Sequence, residues 1–218
     1  MFKKIIVTSA LSALSTAALA GAFDGPHVGF GAGMNNMNAT TTLKDADDST
    51  LGADLGKSRF ASQVQGGYNF SLNKSFNLGL NGFYNLNDTS ASASVRLKEV
   101  ATINATAVLK KSWGFAVEPG IYLGDKTLAY GTLAYHRADL NFDLSVEAQG
   151  RKLEAGKSRN VSGFGYGAGI KHLVNKNVYV GVESQVVNYS SADLDGELLS
   201  ATIEPKQVQT LVSVGYKF

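Results

Sequence analysis

The last nine residues, Thr210-Leu211-Val212-Ser213-Val214-Gly215-Tyr216-Lys217-Phe218, alternate in character almost without exception. In an extended strand successive side chains point to opposite faces. Thr210, Val212, Val214, Tyr216 and Phe218 therefore share one face, and Gln207, Gln209, Ser213 and Lys217 share the other. A helical period of 3.6 would scatter the same five residues around a cylinder. The pattern predicts a final strand with one apolar and one polar face, and what the apolar face meets decides the fold.

The opposite end bears on that question. Met1-Phe2-Lys3-Lys4 is basic, Ile5 to Leu19 is apolar but diluted by Thr8, Ser9, Ser12, Ser15 and Thr16, and Ala18-Leu19-Ala20 is a small-x-small cleavage site. Ala20-Gly21-Ala22 is a second candidate. A spanning helix needs about 20 continuous apolar residues, and this run is shorter and interrupted. The expectation is a secretory signal peptide over residues 1–20, cleaved near 20–22, then one domain over residues 23–218 starting near Gly21 or Phe23. With no Cys in the chain, disulfides, thiolate nucleophiles and Cys-ligated metals are excluded. A net charge of +2 carried by scattered basic residues argues against a nucleic-acid partner. Mean hydropathy is −0.04, which suits strands that meet lipid with only every second residue.

Period-2 patterning gives eight segments, at 26–37, 58–70, 75–87, 111–123, 127–140, 159–173, 177–190 and 205–218. Short turns alternate with long polar connections. The turns are Ser71-Leu72-Asn73-Lys74, Gly124-Asp125-Lys126 and Val174-Asn175-Lys176; the long connections are 38–57, 88–110, 141–158 and 191–204. This asymmetry predicts an all-β, eight-stranded, antiparallel up-and-down transmembrane β-barrel with turns periplasmic and loops outside. Centring a hairpin on Asp125 pairs Phe115 with Tyr135, Val117 with Leu133, Ile121 with Ala129 and Gly120 with Tyr130. The preceding hairpin pairs Phe70 with Phe76, Tyr68 with Leu78 and Gln65 with Asn81. Each sorts into an apolar and a mostly polar face. An apolar stripe on every strand is too much surface for the inside of so narrow a barrel, so it faces lipid.

Aromatic residues fall into two expected girdles: Tyr68, Phe70, Phe76, Tyr216 and Phe218 at the turn end, and Tyr84, Trp113, Phe115, Tyr135 and Phe164 at the loop end. Gly29, Gly31 and Gly33, and Gly163, Gly165, Gly167 and Gly169, occupy the inner face, where alternate glycines predict crowding by large neighbours. The inner face collects Arg59, Glu118, Lys171 and Glu183 among Gln63, Gln65, Asn77, Asn81, Gln185 and Gln209. Buried charges have to be paired, so these four are expected to form a salt-bridged lumen plug, the rival being a narrow ion path. His27 and His172 fall near the periplasmic ends and His136 near the outer rim, with Ser112 its nearest candidate partner for catalysis. The first loop is acidic through Asp45, Asp47, Asp48 and Asp54 but lacks calcium-loop spacing, and the second is basic through Arg96, Lys98, Lys110 and Lys111. Catalytic, cofactor and metal residues are assigned to none.

The terminal Phe218 with Tyr216 before it, the leader, the eight segments and the Tyr122-Leu123-Gly124-Asp125-Lys126-Thr127-Leu128 hairpin resemble the OmpA-like and opacity-type outer-membrane barrels. The resemblance implies a bacterial outer-membrane location reached through the periplasm, with outer-membrane lipid, lipopolysaccharide and the barrel assembly machinery as partners. It also implies that Val212, Val214, Tyr216 and Phe218 form the C-terminal assembly signal. No peptidoglycan-binding domain follows the last strand, so wall anchoring is not expected. The functional expectation is a non-enzymatic barrel supporting envelope integrity, with a narrow pore as an open variant and four surface loops. The alternative is an adhesin or ligand-binding surface protein with an unidentified extracellular ligand, and a lipid A-modifying enzyme ranks behind both.

Overall fold

A computed structural model of the chain describes residues 21–44, 50–97, 101–148, 151–195 and 200–218. The expected leader, Asp45, Asp47, Asp48 and Lys98 lie outside the described residues. Ten strands follow in chain order: β1 (Gly25–Lys44), β2 (Thr50–Ser71), β3 (Phe76–Asn85), β4 (Thr89–Leu97), β5 (Ala101–Tyr122), β6 (Thr127–Ala148), β7 (Arg151–Leu173), β8 (Val178–Tyr189), β9 (Ala192–Asp195) and β10 (Ser200–Lys217). Strand β1 pairs antiparallel with β2 on one side and with β10 on the other, from His27 opposite Lys217 to Lys44 opposite Ser200. That pairing closes an antiparallel eight-stranded barrel of β1, β2, β3, β5, β6, β7, β8 and β10. Strands β4 and β9 pair only with β5 and β10. They prolong the lines of β3 and β8, since β3 lies against Trp113–Ile121 of β5 and β4 against Ala101–Leu109. Opposite the β3–β4 break, β5 bulges between Lys110 and Trp113, and Lys111 takes a positive φ of 51°.

The strands run further than the apolar alternation. Residues 38–57, 88–110, 141–158 and 191–204 were expected as long loops, but most of them are paired strand: β1 and β2 stay in register to Lys44 opposite Thr50, and β6 and β7 to Ala148 opposite Arg151. The physical reason is a change of solvent. A strand of 22 residues is about 70 Å long and, tilted by about 40°, rises about 55 Å, roughly twice the apolar band of such a barrel. Above the band the outer face meets water, so the hydrophobic period disappears while the backbone ladder continues.

The β5–β6 hairpin has the expected register, with Phe115 opposite Tyr135 and Gly120 opposite Tyr130. The β2–β3 hairpin is two residues off: Phe70 lies opposite Leu78, not Phe76. Its turn is larger because Asn73 Oδ1 accepts from the amides of Ser75 (2.8 Å) and Phe76 (2.9 Å), and Leu72 N–H donates to Phe76 O at 2.9 Å. Asn175 does the same for Asn177 and Val178 in the β7–β8 turn. A two-residue shift leaves every side chain on its original face, so the inside-outside assignment survives.

Outside, Val28, Phe30, Phe60, Val64, Phe115, Leu133, Phe164 and Val212 are exposed, and similar residues line all eight wall strands. An apolar belt this continuous exceeds any patch a water-soluble monomer tolerates; the belt faces lipid. Paired rings mark its edges: Tyr68–Phe70 (4.5 Å) and Tyr216–Phe218 (5.1 Å) near the turns, Trp113–Phe115 and Tyr135–Phe164 (both 5.7 Å) toward the loops. Inside, glycines make room for rings. A Cβ at Gly169 would lie 2.5 Å from the Tyr130 ring, and one at Gly215 would overlap Tyr179. Gly169→Val should therefore lower stability by about 1–3 kcal/mol. The lipid-facing Gly131→Val, whose Cβ would meet nothing nearer than 3.8 Å, should be close to neutral, with urea unfolding followed by the gel shift of the folded barrel as the measurement.

Candidate functional site

Among the described residues polar chemistry is concentrated and shielded in the interior, which is built in layers. At the turn end Phe23 packs with Leu128, Leu173 and Tyr179, all buried. Next comes His27, 2% exposed. Its Nε2 lies 2.7 Å from Asn81 Oδ1, and its Nδ1 lies 3.1 Å from Asn69 Nδ2. The two amides fix one neutral tautomer, Nε2–H donating to the Asn81 carbonyl and Nδ1 accepting from the Asn69 amide.

Above it lies the charged layer. Lys171 Nζ, on β7, is 2.5 Å from Glu118 Oε2, on β5, and both side chains are almost completely buried. The same ammonium stands 4.3 Å from the centre of the Tyr130 ring. The Tyr130 hydroxyl donates to Glu183 Oε2, on β8, at 2.8 Å. One cation thus serves a carboxylate directly and a ring by its face, and the ring's hydroxyl serves the second carboxylate.

Higher still, an amide belt crosses the lumen. His136 Nε2 lies 3.3 Å from Gln185 Oε1, Gln185 Nε2 donates to Gln209 Oε1 (3.0 Å), Gln209 Nε2 to Asn85 Oδ1 (3.1 Å) and Asn85 Nδ2 to Ser112 Oγ (3.2 Å). Five different strands contribute. An apolar cluster of Met37, Leu109, Leu140, Val161, Val187 and Tyr189 closes the loop end.

Of the four charged residues assigned to the lumen, Glu118, Lys171 and Glu183 come together and Arg59 does not. Arg59 sits opposite Asn35 on β1 and is exposed. Its long side chain reaches water, where a guanidinium needs no buried partner. His136 is buried within the barrel rather than at its rim, and Ser112 is held by Asn85. Val212, Val214, Tyr216 and Phe218 lie on the exposed outer face of β10. Phe23, Tyr130, Tyr179 and the apolar loop-end cluster escaped the sequence reading. For the tyrosines a signal existed, because Tyr130 stands opposite Gly120 and Gly169, and Tyr179 opposite Gly215. An inward aromatic flanked by glycines on the adjoining strands marks a lumen filler. Phe23 precedes β1 and belongs to no alternation.

Closure by β1–β10 pairing, the lipid-facing belt and the shielded polar interior agree with the sequence comparison, in which the outer membrane protein beta-barrel domain matches residues 6–218. The chain belongs to this family of outer-membrane β-barrels. As such it resides in the bacterial outer membrane. Among solved structures it is similar to the outer membrane protein OprG of Pseudomonas aeruginosa, with 11% identity, 92% of this chain and 99% of that chain covered, and a TM-score of 0.54. It is also similar to the outer membrane protease OmpT of Escherichia coli, with 12% identity, 94% and 100% covered, and a TM-score of 0.51. At such identities the likeness concerns the fold alone. None of the curated proteins compared with the chain matches it.

The barrel's buried ion pair yields a mutational test. Lys171→Met leaves Glu118 buried without its cation and should cost about 3–5 kcal/mol, whereas Lys171→Met with Glu118→Leu should recover most of the loss. Urea unfolding of the refolded protein, followed through Trp113 fluorescence, measures both.

Proposed function

We propose that this protein is a closed, non-enzymatic outer-membrane barrel that supports the envelope and acts on its surroundings through the part standing outside the lipid. The reading rests on one observation above all: buried side chains recur along the lumen, from the Phe23 cluster through the Lys171–Glu118 pair and the amide belt to the Met37 cluster. An interior of this width is filled by its own residues, and an ion entering it would have to displace the Lys171–Glu118 pair. The histidines support the non-enzymatic part. His27 and His136 are bonded to side-chain amides, and His172 to Thr127, so none has the carboxylate partner and free nucleophile that acyl or peptide chemistry requires. Outer-membrane lipid and lipopolysaccharide are the partners of the belt, and the barrel assembly machinery that of the outer face of β10.

The length of the strands favours a second reading of the same barrel, as an adhesin or ligand-binding protein. Pairing from Asn38 opposite Gly56 up to Lys44 opposite Thr50 makes the first outer connection a stiff hairpin rather than a loose loop. Such a platform presents a surface with little entropy left to lose on binding. Replacing residues 38–57 by a short turn should leave the folded barrel intact, and selective loss of cell or ligand binding would assign that activity to the hairpin.

For the first reading, the refolded chain in planar bilayers should be electrically silent once insertion is verified. Reproducible steps that change in the Glu118→Gln, Glu183→Gln variant would instead make the lumen the functional path.

A further inference from the structure

We propose that the bond between Ala20 and Gly21 is where the leader is removed, and that the α-ammonium released on Gly21 is captured by Asp24, seating Phe23 as a stopper in the periplasmic mouth of the barrel. The sequence left two cleavage positions open, after Ala20 and after Ala22; the geometry of residues 21–24 separates them.

These four residues form a tight knot beneath the barrel. Gly21 N lies 2.7 Å from Asp24 Oδ2, and Asp24 N–H donates back to Gly21 O at 3.0 Å. The other carboxylate oxygen, Asp24 Oδ1, accepts from Ser71 N at 2.5 Å, which ties the knot to the end of β2. Lys217 Nζ donates to Ala22 O at 3.0 Å, which ties it to the end of β10. Between these ties Phe23 points into the mouth, 1% exposed, its ring 6.3 Å from that of Tyr122 and 6.4 Å from that of Tyr179. A Cβ at position 21 would collide with the hydroxyls of Ser71 and Tyr122, themselves hydrogen-bonded at 2.6 Å, so any larger residue there has to displace them.

Hydrolysis after Ala20 breaks one amide C–N bond. Water supplies a hydroxyl to the Ala20 carbonyl, giving a carboxylate, and a proton to Gly21 N, which becomes an ammonium at neutral pH. A neutral amide facing Asp24 is thereby exchanged for a cation facing a carboxylate, and a hydrogen bond charged at both ends is the stronger kind. Cleavage after Ala22 does the opposite. It removes the Gly21 and Ala22 groups that Asp24 and Lys217 hold, and it places the new charge on Phe23, whose ring is packed in an apolar pocket. The carboxylate of Asp24 is thus a receptor for the processed end of the chain, and the charge gained on cleavage strengthens a contact that already seats Phe23 in the mouth.

Two measurements decide this. The intact mass of protein extracted from outer membranes should correspond to a chain beginning at Gly21; a chain beginning at Phe23 would overturn the proposal. The ammonium is tested separately with Leu128→Cys, a thiol behind Phe23 in an otherwise Cys-free chain. In the refolded protein beginning at Gly21 this thiol should resist a small charged thiol reagent. It should react about tenfold faster when the α-amino group is acetylated or when Asp24→Asn is added, the effect of losing roughly 1.4 kcal/mol from a charged hydrogen bond. Equal reactivity in all three proteins would overturn the capture of the ammonium while leaving the mass result to stand alone.

Discussion

Closing eight strands on themselves fixes the width of the interior, and most other features of this chain answer to that constraint. A barrel of this size has room for side chains and nothing wider, so each inward residue has to be matched in volume by its neighbours around the wall. The glycines opposite Tyr130 and Tyr179 do this at two levels. The same closure pairs each of the eight wall strands on both sides through β1 and β10 and leaves no edge facing the lipid. Lipid outside could not hydrogen-bond such an edge, so the membrane location and the closed sheet are one requirement seen from two sides.

Within that fixed volume, the three charged residues at the centre carry most of the specificity. Lys171 reaches across from β7 to Glu118 on β5, while Tyr130 on β6 faces Glu183 on β8. These contacts join strands that are not neighbours in the sheet, and only one registration of the strands brings all four together. A buried ion pair adds little net stability over a well-packed apolar core, yet a slipped register would leave its charges unpaired. The charged layer therefore selects one barrel among near alternatives. What remains available to the outside is the upper half, where paired strands stand clear of the lipid.

Much of this was legible in the sequence. Alternation on Val212, Val214, Tyr216 and Phe218 reports a lipid-facing strand because lipid penalises polar side chains at every second position. Glu118, Lys171 and Glu183 could be grouped because charged residues on the inner parity had to find one another. Arg59 obeys the same parity but is exposed, and parity carries no information about burial at a given height. The outer strand extensions were hidden for a related reason: once water bathes the outer face, Asn38 or Asn141 is as suitable there as any apolar residue. The β2–β3 register was missed because it turns on two hydrogen bonds from the Asn73 side chain, a local detail that does not disturb the faces. Phe23 was invisible because it works outside any strand.

The central claim is that the lumen is filled, and solvent access to its middle tests this most directly. The chain has no cysteine, so single thiols can be placed at will: Gln185→Cys in the amide belt, and Arg59→Cys at an exposed position. In the folded, membrane-inserted protein the thiol at 59 should react with a small charged thiol reagent within minutes, and the thiol at 185 only after urea unfolding. Comparable reactivity at both positions in the folded state would mean that water and ions reach the barrel's centre, and the account of a closed lumen would be wrong.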